Sequence, residues 1–238
     1  MKRDEITEAR MRAHWLLTVL LILLAPNHPV LAAEHHADSS SVQPAEARAR
    51  LEAGNQRFTS HHLQHPHSSV AWLAGLGGSQ HPFATVLGCS DSRVPLELLF
   101  DQGFGDLFVI RVAGNVAAAD ELGSIEYAAN HLGVSFVLVL GHEQCGAVTA
   151  ALGPESDRKH EASDIQTLLG RIEPALAGIP AGLEPAEMVH RGVEANVRQS
   201  VRVLRESPTL QDRVQKGEIS VVGAVYELNT GRVRWLKD

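Results

Sequence analysis

Apolar runs and helical spacings alternate through the middle of the chain. Ala84–Leu87 is a short apolar run that reads as a buried strand, and "DLFVIRVA" (106–113) reads as a second. Glu121–Leu132 has the three-and-four spacing of a helix, with Leu122, Ile125, Tyr127, Ala128 and Leu132 available for a buried face. "VSFVLVLG" (134–141) is apolar almost throughout, the pattern of a strand covered on both faces, and "CGAVTAAL" (145–152) opens a helix directly after it. Strand, helix, strand, helix predicts an α/β fold with a central, mostly parallel sheet flanked by helices.

The flanks complete that pattern. A helix is expected from Pro44, which suits a first-turn position, through the alanine-rich stretch to an elbow at "GNQRF". Residues 60–69, "SHHLQHPHSS", break the periodicity and read as a loop. Residues 153–187 read as loops around one helix, Ser163–Ala177. Glu187–Arg205 follows as a longer helix with Val189, Val193, Val197, Val201 and Leu204 along one stripe. "EISVVGAVYEL" reads as a strand, and "TGRVRWL" as its return across a Thr-Gly turn. With no internal repeat, 44–238 is expected to be a single domain.

The N-terminus adds a targeting expectation. Lys2, Arg3, Arg10 and Arg12 precede an apolar run, Trp15–Ala25, of eleven residues. That is short of the roughly 20 that span a bilayer as a helix. Val30 and Ala32 fit a small-residue cleavage site. Residues 1–32 therefore read as a signal peptide cleaved after Ala32, and 33–43 as a flexible linker. The expected product is exported and periplasmic, with no stable membrane span. Composition is ordinary for a globular domain, at 44% hydrophobic and 21% charged. A net charge of −7 with scattered basic residues gives nucleic acid no electrostatic foothold.

Export sharpens the question of the two cysteines. In an oxidising compartment a pair suggests one disulfide. Yet Cys89, in "LGCSDSRVPLE", directly follows an apolar strand, and so does "GHEQCG", which carries His142 and Cys145. In open α/β sheets, ligands collect beyond the C-terminal strand ends. Two strands would thus deliver Cys89, His142 and Cys145 to one edge, as three zinc donors with a fourth position for water. Asp91 and Arg93 then read as its supporting pair. Asp91 would accept a hydrogen bond from the nucleophile, or become a fourth ligand in a closed state, and Arg93 would hold the carboxylate in both arms. From the residues alone, zinc, a disulfide and two inert thiols all remain open.

"CSDSR" (89–93) with "GHEQCG" (141–146) resembles the β-class carbonic anhydrases. "RLEAGNQRF" (50–58), "FVIRVAGNV" (108–116), "GSIEYAANHLGV" (123–134) and "VVGAVYELNTGRV" (221–233) resemble the family in order and spacing. The resemblance implies that fold, with an N-terminal helical arm, and one Zn2+ per chain on Cys89, His142 and Cys145. It implies reversible hydration of carbon dioxide to bicarbonate and a proton by zinc-bound hydroxide, with Asp91 and Arg93 as the catalytic dyad. It assigns Gln80, Phe108, Tyr127 and Gly146 to the substrate, and implies a homodimer or tetramer. Some members have an inhibitory bicarbonate site whose tryptophan would fall at Val86, while Arg111 matches its arginine. That departure argues for a constitutively open zinc.

Three other readings share these residues. One is hydrolysis of carbonyl sulfide or carbon disulfide on the same fold. A second is a catalytically silent zinc protein, and the third a redox protein using Cys89 and Cys145. The remaining histidines carry less. His61, His62, His65 and His67 read as a solvated loop, His35 and His36 as part of the linker, and His131, His160 and His190 as surface or helix residues. Trp72 and Trp235 are expected to pack against the domain.

Overall fold

The computed structural model describes residues 42–237. The segment expected to be a signal peptide (1–32) and most of the expected linker (33–43) lie outside the described residues. The described residues fall in one compact unit.

Helix α1, Pro44–Thr59, runs unbroken through the expected elbow. Asn55 explains why the sequence turns polar there: buried, it donates to the carbonyls of Leu99 and Gly231 and accepts from Val233 N–H. A short helix, α2 (Val70–Gly75), follows the loop. Then come β1 (Ala84–Gly88), α3 (Leu96–Leu99), β2 (Leu107–Arg111), a 3-10 turn (Ala113–Asn115), α4 (Ala119–His131) and β3 (Phe136–His142). The C-terminal part adds α5 (Gly146–Leu152), α6 (Glu155–Arg158), α7 (Ser163–Leu176), α8 (Pro185–Arg205), α9 (Gln211–Gln215), β4 (Ser220–Tyr226) and β5 (Val233–Trp235). The sheet order is β2-β1-β3-β4-β5, parallel except where β5 returns antiparallel on β4.

The near-continuous apolar strands are accounted for by two cores, one on each face of the sheet. Along β3, Val137 and Val139 enter one core while Phe136, Leu138 and Leu140 enter the other. The first core takes Ile125 of α4, Leu169 and Ile172 of α7, and Val193, Val197, Val201 and Leu204 of α8. The second is closed by Ala47 and Leu51 of α1 with Leu96 and Leu99 of α3.

The buried face expected for 121–132 needs correction at Tyr127. Ile125, Ala128 and Ala129 are buried on α4, whereas Tyr127 is 49% exposed. Its ring lies 6.4 Å from Phe108 and 4.9 Å from His131. The 60–69 loop is also more than solvated chain. His67 stacks on Trp72 at 3.9 Å, and its Nδ1 meets Asp106 Oδ1 at 2.7 Å. Asp101, buried behind the loop, accepts from Arg57 and from the Gln64 and His65 N–H groups.

Candidate metal centre

Strands β1 and β3 are parallel neighbours, with Gly88 opposite Leu140. Cys89 follows the last residue of β1, and His142 is itself the last residue of β3. Both therefore arrive at one sheet edge, where Cys145 stands at the N-cap of α5. The close approach of α8 requires Gly141 beside His142: a Cβ there would fall 2.5 Å from Val197 Cγ2. The donor atoms of Cys89, His142 and Cys145 lie within 4.8 Å of one another, and all three residues are buried. Both thiols are free.

The His142 tautomer follows from its neighbours. Nδ1 donates to the Glu143 carbonyl at 2.8 Å. A carbonyl only accepts, so Nδ1 carries the proton and Nε2 presents its lone pair. That Nε2 is buried and has no hydrogen-bond partner among the described residues. Glu143 is itself fixed, since its side chain accepts from Leu228 N–H and its own N–H reaches Tyr226 O.

The sulfurs are arranged for charge. Cys89 Sγ accepts from Gly114 N–H at 3.3 Å and Asp91 N–H at 3.4 Å. A hydrogen bond from Cys145 pulls the Cys89 thiol down to about 4 against the cost of burial, helped by those two amides. Cys145 is driven far up by its bond to Cys89, by burial and by the charge on Cys89. The protein alone thus accommodates one thiolate of the two. A divalent cation removes that conflict, and two thiolates with one imidazole are a preferred zinc donor set. The bare, buried His142 Nε2 is the third donor such an ion needs. The residues fit zinc.

Asp91 and Arg93 are together as expected. Arg93 Nε donates to Asp91 Oδ1 at 2.9 Å and Nη2 to Oδ2 at 2.7 Å, and the Arg93 N–H adds a third bond to Oδ1. The Arg93 side-chain hydrogen bonds hold the Asp91 carboxyl well below the usual carboxylate range. Asp91 Oδ2 lies 3.8 Å from His142 Nε2, beside the ligands. Gly146 opens α5 immediately after Cys145. Arg111 donates to the carbonyls of Cys89 and Asp91, at 3.0 and 2.7 Å, and so ties down both ends of the "CSD" turn. Val86 is buried within β1.

Among the described residues, no hydrogen bond joins Gln80 or Tyr127 to the three ligand residues. With His81 and His131, Gln80 and Tyr127 line a cavity that none of the three ligand residues lines, and Phe108 reaches this group through the Tyr127 ring. Sequence reasoning missed the backbone donors and acceptors around the ligands: Gly114 N–H, the Glu143 carbonyl, and the carbonyls gripped by Arg111. The "RVAGN" stretch carried the one available signal, a glycine placed next to a strand end.

The sequence model of the carbonic anhydrase family matches residues 84–233. Carbonic anhydrase 2 of Mycobacterium tuberculosis is 39% identical over 194 residues, spanning 81% of this chain and 92% of that protein. Among solved structures, the β-carbonic anhydrase of Coccomyxa in complex with acetazolamide is 29% identical, with a TM-score of 0.62 over 81% of this chain and 82% of its own. A tetrameric β-carbonic anhydrase of Sordaria macrospora is 25% identical, with a TM-score of 0.64 over 82% and 95%. The chain belongs to the carbonic anhydrase family, in its β class. It is an enzyme of a zinc-dependent class, and its Cys89–His142–Cys145 cluster is able to hold one metal ion.

Proposed function

We propose that this chain catalyses the reversible hydration of carbon dioxide to bicarbonate and a proton at the Cys89–His142–Cys145 edge of its sheet. The observation that carries the reading is the Asp91–Arg93 pair beside three buried zinc donors. Zinc held there supplies a Lewis acid that lets water ionise near neutral pH. Asp91, ionised and acceptor-only, orients the attacking water by accepting its O–H and leaves a lone pair on the oxygen for carbon. Arg93 fixes the direction of that carboxylate and keeps it charged. His142 is held in the ligating tautomer by the Glu143 carbonyl. Gly146, with its backbone N–H at the opening of α5, faces the developing bicarbonate.

Gln80, Phe108 and Tyr127 serve the substrate in a site shared between two copies of the chain. Gln80 and Tyr127 line a cavity that no ligand residue lines, which supports this, since a second copy can bring them to its neighbour's metal edge. A homodimer is then the smallest complete enzyme, and pairs of dimers give a tetramer. Residues 1–32 have the composition of an export signal, which supports a periplasmic enzyme. Among the described residues, no helix is long and apolar enough to cross a membrane. N-terminal sequencing of material from the periplasm should begin at Ala33.

Stopped-flow hydration of carbon dioxide by the purified, zinc-loaded chain tests the reaction. Turnover far above the uncatalysed rate is expected. A rate at background, from protein with metal bound and carbonyl sulfide hydrolysed instead, would replace the proposed substrate.

A further inference from the structure

The buried face of α8 is apolar except at two positions. Val193, Val197, Val201 and Leu204 fill it, and between them Asn196 and Ser200 are also buried. Burying an amide and a hydroxyl against a core is costly unless they find partners. The Asn196 Nδ2 and Ser200 Oγ donors both find theirs in one place, while Asn196 Oδ1 has no hydrogen-bond partner among the described residues. Asn196 Nδ2 donates to the Gly114 carbonyl at 2.6 Å, and Ser200 Oγ donates to the Asn115 carbonyl at 3.0 Å.

Those carbonyls belong to a turn that needs holding. Gly114 has φ 70° and the residue after it, Asn115, has φ 44°. Two successive left-handed residues, one of them with a side chain, are disfavoured without outside support. A Cβ at Gly114 would meet Ile172 Cδ1 at 2.7 Å, so the turn is also wedged against α7. Its product is a single directed group: the Gly114 N–H, which donates to Cys89 Sγ.

We propose that Asn196 and Ser200 are positioning residues for the metal centre: they clamp the Gly114–Asn115 turn from α8 so that Gly114 N–H stays aimed at the Cys89 sulfur. A hydrogen bond to a metal-bound thiolate draws electron density from sulfur, and it fixes the side chain's orientation before metal arrives. The clamp thus sets both how strongly Cys89 donates and how long the ion is retained. The inference rests on Cys89 being a metal ligand.

Cobalt(II) loaded into the full chain in place of zinc reads the sulfur directly through its thiolate-to-metal charge-transfer band. In Asn196→Ala the turn relaxes and the N–H bond weakens. Sulfur then gives up an electron more easily, and the band moves to longer wavelength. Metal loss to a chelator accelerates up to about 10-fold, the low end for mutating a partner of a metal ligand, because the Gly114 N–H is loosened and not removed. Ser200→Ala, which deletes one oxygen, shifts the band the same way by less and carries the test should Asn196→Ala fail to fold. Leu204→Ala opens a cavity on the same helix face while leaving both hydrogen bonds to the turn intact, and leaves the band in place. An unmoved band in both polar variants, or an equal shift in Leu204→Ala, overturns the proposal while leaving the metal centre intact. Absence of any such band in the unaltered protein overturns the metal reading and this inference together.

Discussion

Arg93 holds Asp91 by both carboxylate oxygens, at 2.9 and 2.7 Å, while the same carboxylate lies 3.8 Å from His142 Nε2. The aspartate therefore stands beside the ligand set with its direction fixed and its charge secured. Asp91→Asn keeps the shape and loses the acceptor-only character. Zinc content is expected to stay at the unaltered level while kcat falls by about 10²–10⁴-fold, the range for a positioned acid–base group. Unchanged turnover with metal bound would remove Asp91 from the mechanism.

The buried Asp101 carries a pH-dependent part of the stability. Burial alone would raise its pKa, but Arg57 and the Gln64 and His65 N–H groups outweigh that and hold it low. A depressed folded-state value means the contribution is complete above the unfolded carboxyl value, about 3.9. It is lost as pH falls through the folded value. Asp101→Asn should lower unfolding free energy in urea by about 1.5–3 kcal/mol at pH 7, the worth of charged hydrogen bonds. The gap to the unaltered chain should narrow below pH 4. Equal stability at pH 7 would show that the loop is held by other contacts.

Gly141 is expected to tolerate no side chain. A methyl group would press on Val197 Cγ2 at 2.5 Å and Val193 Cγ1 at 3.2 Å. Gly141→Ala should cost about 1–3 kcal/mol, the usual range for an overpacked core. It should also weaken zinc retention, because His142 is the next residue. Val197→Ala added to Gly141→Ala should recover part of both losses. Failure of the double variant to recover either would place the strain in the backbone.

The proposed sharing of the site between two copies can be tested by mixing. Gln80→Ala and Asp91→Asn homodimers should each be impaired. Subunits exchanged between them would form heterodimers in which one site has Asp91 from one chain and Gln80 from the other. Activity of the exchanged mixture should exceed the average of the two parents. A mixture that stays at that average, with exchange verified, would place Gln80 in its own chain's site.

Much of the centre was legible because chemistry and pattern coincided. Cys89 and His142 each close a near-continuous apolar strand, and such strands mark a sheet covered on both faces. Their register then follows from the parallel pairing of β1 and β3. Tyr127 was misplaced because helical spacing counts an aromatic as core wherever it falls near the stripe, whereas α4 buries Ala129 beside the expected Ile125 and Ala128. Short helices such as α3 and α9 span too few residues to show a period. The least legible groups were the Gly114 N–H and the Glu143 carbonyl. Every residue except proline carries both groups, so only the fold reveals which are aimed at a ligand.

Zinc content of the full chain, purified without added metal or chelator and paired with thiol titration, tests the central claim most directly. The account predicts one zinc per chain, and two cysteines that stay unreactive until a chelator removes the ion. Metal-free protein that takes up no added zinc and carries a Cys89–Cys145 disulfide would contradict it.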